Sequence, residues 1–317
     1  MTPDNFLHNL SDFKDLLLVV SREKRILPQL VEKDYWIMHC LYGLKKLNLD
    51  FEVKGGTSLS KGYGIIHRFS EDIDIRIEPP EKMGVKTNPK HTKDSHVETR
   101  REFYDWLANT KIVIPGLSEV ERDHEFDDQY LRGAGIRLFY KSYFDPLPGL
   151  KPGILLEVGF DDTTPNQEVD ISSWAADKGI KVDESITDNR AMAIKCYNPA
   201  YTFVEKLQTV STKYRTQQND GNFPTNFLRH YYDIYCLLDN PEVADFIKTD
   251  DYQKRKEHRF RRGDNLCIAE NEAFLLSSPE IKDLYRSEYE KTKDLYYDEM
   301  VPFDTILQRI KDSIDVL

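Results

Sequence analysis

No stretch of the 317 residues approaches the ~20 apolar positions that a membrane-spanning helix needs, which excludes a helical membrane protein. Cysteine is scarce. Cys40, Cys196, Cys236 and Cys267 are widely scattered, with neither metal-knuckle spacing nor a dense disulfide framework, as expected of a chain in a reducing cytoplasm. None of the four stands out as a nucleophile. Thr2-Pro3-Asp4-Asn5 lacks a basic segment leading into an apolar one, so no signal peptide is expected. His91 and His96 have no third ligand at suitable spacing, which argues against zinc. Positive charge is also in deficit: 44 Lys and Arg against 55 Asp and Glu give a net charge of −11. That balance opposes a protein that coats phosphate backbones along its whole surface. One local exception is Lys254, Arg255, Lys256, Arg259, Arg261 and Arg262, six cations that can form either an RNA-end patch or a solvated face. Repeats and low-complexity tracts are absent, and the length suits one large domain or two modest ones.

The informative chemistry lies between Val53 and Ile77. A Gly55-Gly56-Thr57-Ser58 turn precedes Ser70-Glu71-Asp72-Ile73-Asp74-Ile75, which reads as an alternating strand. Side chains alternate across a strand, so Asp72, Asp74 and Arg76 share one face while Ile73, Ile75 and Ile77 share the other. Two carboxylates about 7 Å apart repel each other unless a cation sits between them. Magnesium or manganese suits hard carboxylate oxygens and retains phosphate oxygens as further ligands. Glycine permits positive φ and lets bare backbone amides approach a polyphosphate. The combination predicts phosphoryl or nucleotidyl transfer from a nucleoside triphosphate. Thr57, Ser58 and Ser70 supply small hydroxyls for phosphate contact, although Ser58 equally reads as a cap of a short helix.

The same residues resemble the nucleotidyltransferases of the AbiEii/AbiGii toxin type, relatives of the MenT toxins on the polymerase-beta-like fold. The match consists of Val53-Lys54-Gly55-Gly56, a fifteen-residue spacer, then Asp72-Ile73-Asp74, with Arg68-Phe69-Ser70 before the acids. Glu205-Lys206-Leu207 is similar to the third motif of that family, where a lysine faces the nucleotide phosphates. Arg229-His230-Tyr231-Tyr232-Asp233-Ile234 is similar to the fourth, with His230 in place of the usual acidic residue. Glu32-Lys33-Asp34-Tyr35-Trp36 also looks like a family phrase, and the resemblance runs from about residue 27 to residue 240. It implies that Asp72 and Asp74 hold metal, that Lys206 neutralises triphosphate charge and that Asp233 supports it. It further implies transfer to an acceptor such as the 3′ end of tRNA, by a toxin opposed by a cognate antitoxin. The acidic composition keeps a second class open, a nucleotide-binding or protein-modifying module that leaves RNA alone.

Helical periodicity is expected over 10–24 and 27–46, the second with Asp34 inside its apolar stripe, where it needs a backbone amide or a cation. A loop follows over 78–97, then a short helix over 98–110. Strands are predicted near 118–124, 135–143, 153–160, 167–172 and 191–197. Glu157, opposite Leu156, Val158 and Phe160, is the candidate third metal carboxylate, and the position also reads as an ordinary polar strand face. Helices are expected over 200–215, 224–239, 242–256, 279–293 and 303–316. Asp233 has the spacing of a surface pair with Arg229, and Tyr197, Tyr201 and Tyr214 are candidates for stacking on a base. The expected fold is α+β or α/β: a small twisted mixed sheet over 1–197 carrying the nucleotidyltransferase core, and a helical region over 198–317. A cleft between them is the expected seat of nucleotide and metal.

Overall fold

Alternating polar and apolar residues make Asp72–Ile77 a strand whose burial alternates with them: each isoleucine is buried and each charged residue is part-exposed. The structure, a computed structural model, describes residues 4–147, 149–224 and 226–317. Thr2, Pro3 and Thr225, which figured in the readings of the N-terminus and of the helix over 224–239, lie outside them. Seven strands form one mixed sheet: β1 (Phe51–Lys54), β2 (Asp72–Ile77), β3 (Leu117–Asp123), β4 (Gly133–Tyr140), β5 (Ile154–Gly159), β6 (Asn166–Ile171) and β7 (Ala191–Tyr197). Their order is β3-β4-β5-β2-β1-β7-β6. The strand of acids is therefore internal, antiparallel to β1 and parallel to β5. Ser70 and Glu71, expected inside this strand, precede it.

The chain divides into two units, Met1–Gly62 with Ser70–Tyr197, and Tyr63–Phe69 with Asn198–Leu317. In the first, helix Pro28–Lys46 starts on a proline, whose missing N–H costs nothing there. It packs on β5, β7 and helices Phe13–Lys24 and Trp174–Val182. Most of it is buried on every side, beyond the single stripe expected, because its polar residues find partners. Glu32 accepts from Ser142 Oγ at 2.6 Å and from the Tyr143 amide at 2.9 Å. Asp34 has both kinds of partner its position demanded, the Trp174 amide at 2.9 Å and the Lys61 ammonium, which also lies 5.2 Å from the Trp174 ring.

In the second unit, helix Pro199–Asp220 packs on Arg229–Leu237, Pro241–Phe246 and Asp250–Arg259. The helix expected over 242–256 is two helices, because Asn240 and Thr249 each cap a new start with a side-chain oxygen. Helix Trp174–Val182, unforeseen in the sequence, begins the same way at Ser173. Segment 63–69 is held within this unit: the Phe69 amide donates to Leu295 O at 2.7 Å, and Arg68 forms a β-bridge with Tyr296.

The stretch after β2 is ordered around one buried guanidinium. Arg100, on helix Asp94–Trp106, is fully buried and donates to the carbonyls of Lys86 (2.6 Å), Asn88 (2.9 Å), His91 (3.0 Å) and Tyr130 (2.7 Å). Arg100→Met should cost about 2–4 kcal/mol, since four carbonyls lose a charged donor. It should also speed tryptic cleavage at Lys86 and Lys90. An unchanged digestion pattern together with an unchanged urea midpoint would refute this account.

Candidate functional site

Residues paired directly across a ladder point to the same face. Register therefore decides which acids meet: Asp74 pairs with Glu157 on β5 and with Lys54 on β1, and Asp72 pairs with Leu155. Asp72, Asp74 and Glu157 thus share one face, whereas Ile73, Ile75, Leu156 and Val158 fill the buried one. The charge of Asp74 is the largest influence on Glu157. With burial and the charge of Asp72, it raises the Glu157 pKa to about 8 against the pull of Lys151 and Lys54. Asp72 Oδ2 takes the Lys151 ammonium at 2.9 Å, while its Oδ1 is buried with no hydrogen-bond partner.

The glycine bend ends β1 against these acids. Gly55 has φ +71°, and a Cβ there would collide with Asp74 Oδ2, so only glycine fits. Gly56 instead lies buried in the helical turn Gly55–Thr57, without the positive φ allowed for it. Thr57 and Ser58 are buried, and their hydroxyls donate to Asp72 O and, at 3.0 Å, to Gly55 O. The Thr57 bond ties the bend to β2, and the Ser58 bond closes the bend on itself. Ser70 is part-exposed two residues before Asp72.

In the second unit Asp233 is fully buried, and so is no exposed surface pair. Arg68 donates to it bidentately, Nε to Oδ1 and Nη2 to Oδ2, both at 2.7 Å, and the Lys206 ammonium lies 2.8 Å from Oδ2. Burial pushes the Asp233 pKa up, but Arg68 and Lys206 overrule it and hold the group well below the usual carboxylate range. Burial and the Lys206 and Lys213 ammoniums hold His230 well below its ordinary value. Its two ring nitrogens lie 3.4 Å from those ammoniums, and a neutral ring accepts from only one at a time. The basic cluster is only half a patch: Arg255 and Lys256 are buried, and Arg255 and Arg259 pair with Glu205 at 3.4 and 3.3 Å. Lys254, Arg261 and Arg262 are exposed. Tyr197 is buried, and Tyr201 already stacks on Phe246 at 4.6 Å.

Orphaned Asp72 Oδ1, and a Glu157 carboxyl that resists ionisation beside Asp74, make an oxygen-rich face suited to a hard divalent cation. Among the described residues no three His, Cys, Asp or Glu side chains are gathered into a metal-holding group. Asp72 and Asp74 can therefore supply only part of a shell, and Glu157 is placed as the neighbour of Asp74 without closing a cage. The rings of His91 and His96 are 4.6 Å apart, with no third ligand joining them among the described residues. Sequence reading assigned no role to Arg68 or Lys151. Arg68 carried a signal, the Arg-Phe-Ser phrase before the acids, whereas Lys151 carried none.

A family model described as the nucleotidyl transferase AbiEii toxin of type IV toxin–antitoxin systems matches residues 39–309. The chain belongs to this family and is a nucleotidyltransferase, with a nucleotide substrate and an antitoxin partner as the family implies. The match extends past residue 240, where the resemblance in the sequence stopped, and starts after Glu32–Trp36. No curated protein matches the chain. Among solved structures, an antigenic nucleotidyltransferase-like protein from Paracoccidioides brasiliensis is similar over 73% of this chain and 94% of its own. Identity is 12% and the TM-score 0.34, which places none of the residues here. Among the described residues no helix is long and apolar enough to cross a membrane.

Two outcomes follow from the charges. The folded-state pKa of Glu157 lies above its usual value, so the stability it contributes is present below about pH 4.5 and is lost as pH rises through about 8. Asp74→Asn removes the main cause and should raise stability by about 1–2 kcal/mol at pH 8.5, and by much less at pH 5. Urea melts at the two pH values measure it, and an equal change at both would count against the repulsion. Asp233→Asn leaves two buried cations without their anion and should cost about 3–5 kcal/mol. A loss below about 1 kcal/mol, the worth of a surface pair, would contradict the buried placement.

Proposed function

We propose that the chain uses magnesium or manganese at Asp72 and Asp74 to transfer a nucleoside monophosphate from a triphosphate to the 3′ end of tRNA. The acceptor hydroxyl oxygen forms a bond to the α-phosphorus, the α–β bridging P–O bond breaks, the hydroxyl proton is released and pyrophosphate leaves. Such a block on tRNA ends would halt translation and arrest growth, the effect an antitoxin would oppose. The observation that carries the reading is the shared face of Asp72, Asp74 and Glu157 beside the Gly55 bend.

Such an ion would supply positive charge for the triphosphate and lower the cost of deprotonating the attacking hydroxyl. Asp72 and Asp74 hold it, and Glu157 adds a third carboxylate to the same face. Gly55 and Gly56 bring side-chain-free backbone to the phosphates, and Thr57, Ser58 and part-exposed Ser70 supply small hydroxyls beside it. Lys206 is assigned to the triphosphate charge, with Asp233 2.8 Å from its ammonium holding it in place.

A second reading places the nucleotide on a partner protein. It is favoured by the net charge of −11 and by the inward-turned half of the basic cluster. Incubation with labelled triphosphates, magnesium and total RNA tests the first reading. Wild type should label tRNA, and Asp72→Asn should lose activity by about a thousandfold or more, as loss of a metal ligand implies. No label on any RNA, or a variant equal to wild type, overturns it. Replacing Lys254, Arg261 and Arg262 by Gln separates the acceptors: RNA labelling falls while triphosphate affinity persists only if RNA is held there.

A further inference from the structure

Lys151 lies in the connection between β4 and β5, and its polar groups are tied to Asp72, Glu71 and the lysine paired with Glu71. Its ammonium is 2.9 Å from Asp72 Oδ2, and its amide donates to Glu71 Oε2 at 3.1 Å. Its carbonyl accepts from Lys33 Nζ at 2.6 Å. Lys33 and Glu71 are both buried and lie 3.6 Å apart, so the backbone of Lys151 is clamped by a buried ion pair. The side chain itself is part-exposed, and its ammonium rests 4.9 Å from the centre of the Phe126 ring. Gly149 and Gly153, on either side, have φ of +83° and +60°.

An anchored backbone with a part-exposed ammonium at the tip of a flexible side chain can serve as a counter-ion held in reserve. Three carboxylates on one sheet face need positive charge, and Lys151 places it on the outer oxygen of Asp72, leaving Oδ1 unpartnered. A dication arriving at Asp72 meets an ammonium within contact distance of its ligand, and the two cations repel.

We propose that Lys151 is a displaceable internal cation for Asp72, so that divalent-ion binding at this face is an exchange in which the lysine ammonium leaves the carboxylate. The inference rests on the metal reading above. It makes Lys151 a positioning residue that keeps the acids in register while no ion is bound and sets how tightly the ion is taken up. Tight binding of a stray ion without nucleotide is thereby opposed.

Two measurements without nucleotide test the exchange. In Mn2+ titrations followed by electron paramagnetic resonance, Lys151→Met should bind at least about tenfold more tightly than wild type, since a cation touching a ligand oxygen is gone. Lys151→Arg, which keeps the charge, should stay near wild type. In wild-type protein, acetic anhydride should label Lys151 slowly in EDTA and severalfold faster with saturating Mn2+. Equal or weaker Mn2+ binding by Lys151→Met, or labelling of Lys151 indifferent to Mn2+, overturns the exchange and leaves the metal reading standing. If neither wild type nor Lys151→Met binds Mn2+, both fall. Should Lys151→Met fail to fold, Lys151→Gln takes its place, and the labelling arm needs no variant.

Discussion

Asp74 and Glu157 face each other across a parallel strand pair, with Asp72 two residues along the same face, and the hydrogen bonds of the sheet deny them room to separate. Their repulsion appears in Glu157, whose carboxyl holds its proton to about pH 8. The surroundings of the face answer that repulsion. Lys151 covers one oxygen of Asp72, Lys54 pairs with Asp74 across β1, and Gly55 withholds the side chain that would strike Asp74. Thr57 ties the bend to β2 through the Asp72 carbonyl. These contacts offset the repulsion between acids that the strand register holds together.

The second unit has the reverse balance. One buried carboxylate, Asp233, serves two cations, so Arg68 and Lys206 together leave an excess of positive charge. Neighbouring His230 stays neutral and adds no further charge. The bidentate grip of Arg68 fixes Asp233, and Asp233 in turn fixes the ammonium of Lys206. A lysine so held has its ammonium fixed in position.

Much of this was legible in the sequence because it depends on short-range rules. The alternation of Asp72–Ile77, the strand near 153–160 with Glu157 opposite its apolar residues, and the need of buried Asp34 for a partner all follow from periodicity and desolvation. Short-range rules failed where two distant segments share a charge. Asp233 spaces well with Arg229, but its buried partners include Arg68, 165 residues away. Six cations within 254–262 suggested a surface, yet Arg255 and Arg259 turn to Glu205 on another helix. Caps were also underweighted: Ser173, Asn240 and Thr249 each start a helix that apolar periodicity missed or merged.

By itself the sequence determined which residue types could do the chemistry. It set two carboxylates on one strand face, made glycine available where φ must be positive, and carried enough of the toxin pattern to name the family. Tertiary structure alone decided which charges neutralise which. Glu157 lies beside Asp74, Lys151 reaches Asp72, and Arg68 closes on Asp233 because strand register and helix packing put them there. Periodicity is written in spacings of two to four residues, whereas a Coulomb interaction depends only on distance in space, which the fold sets.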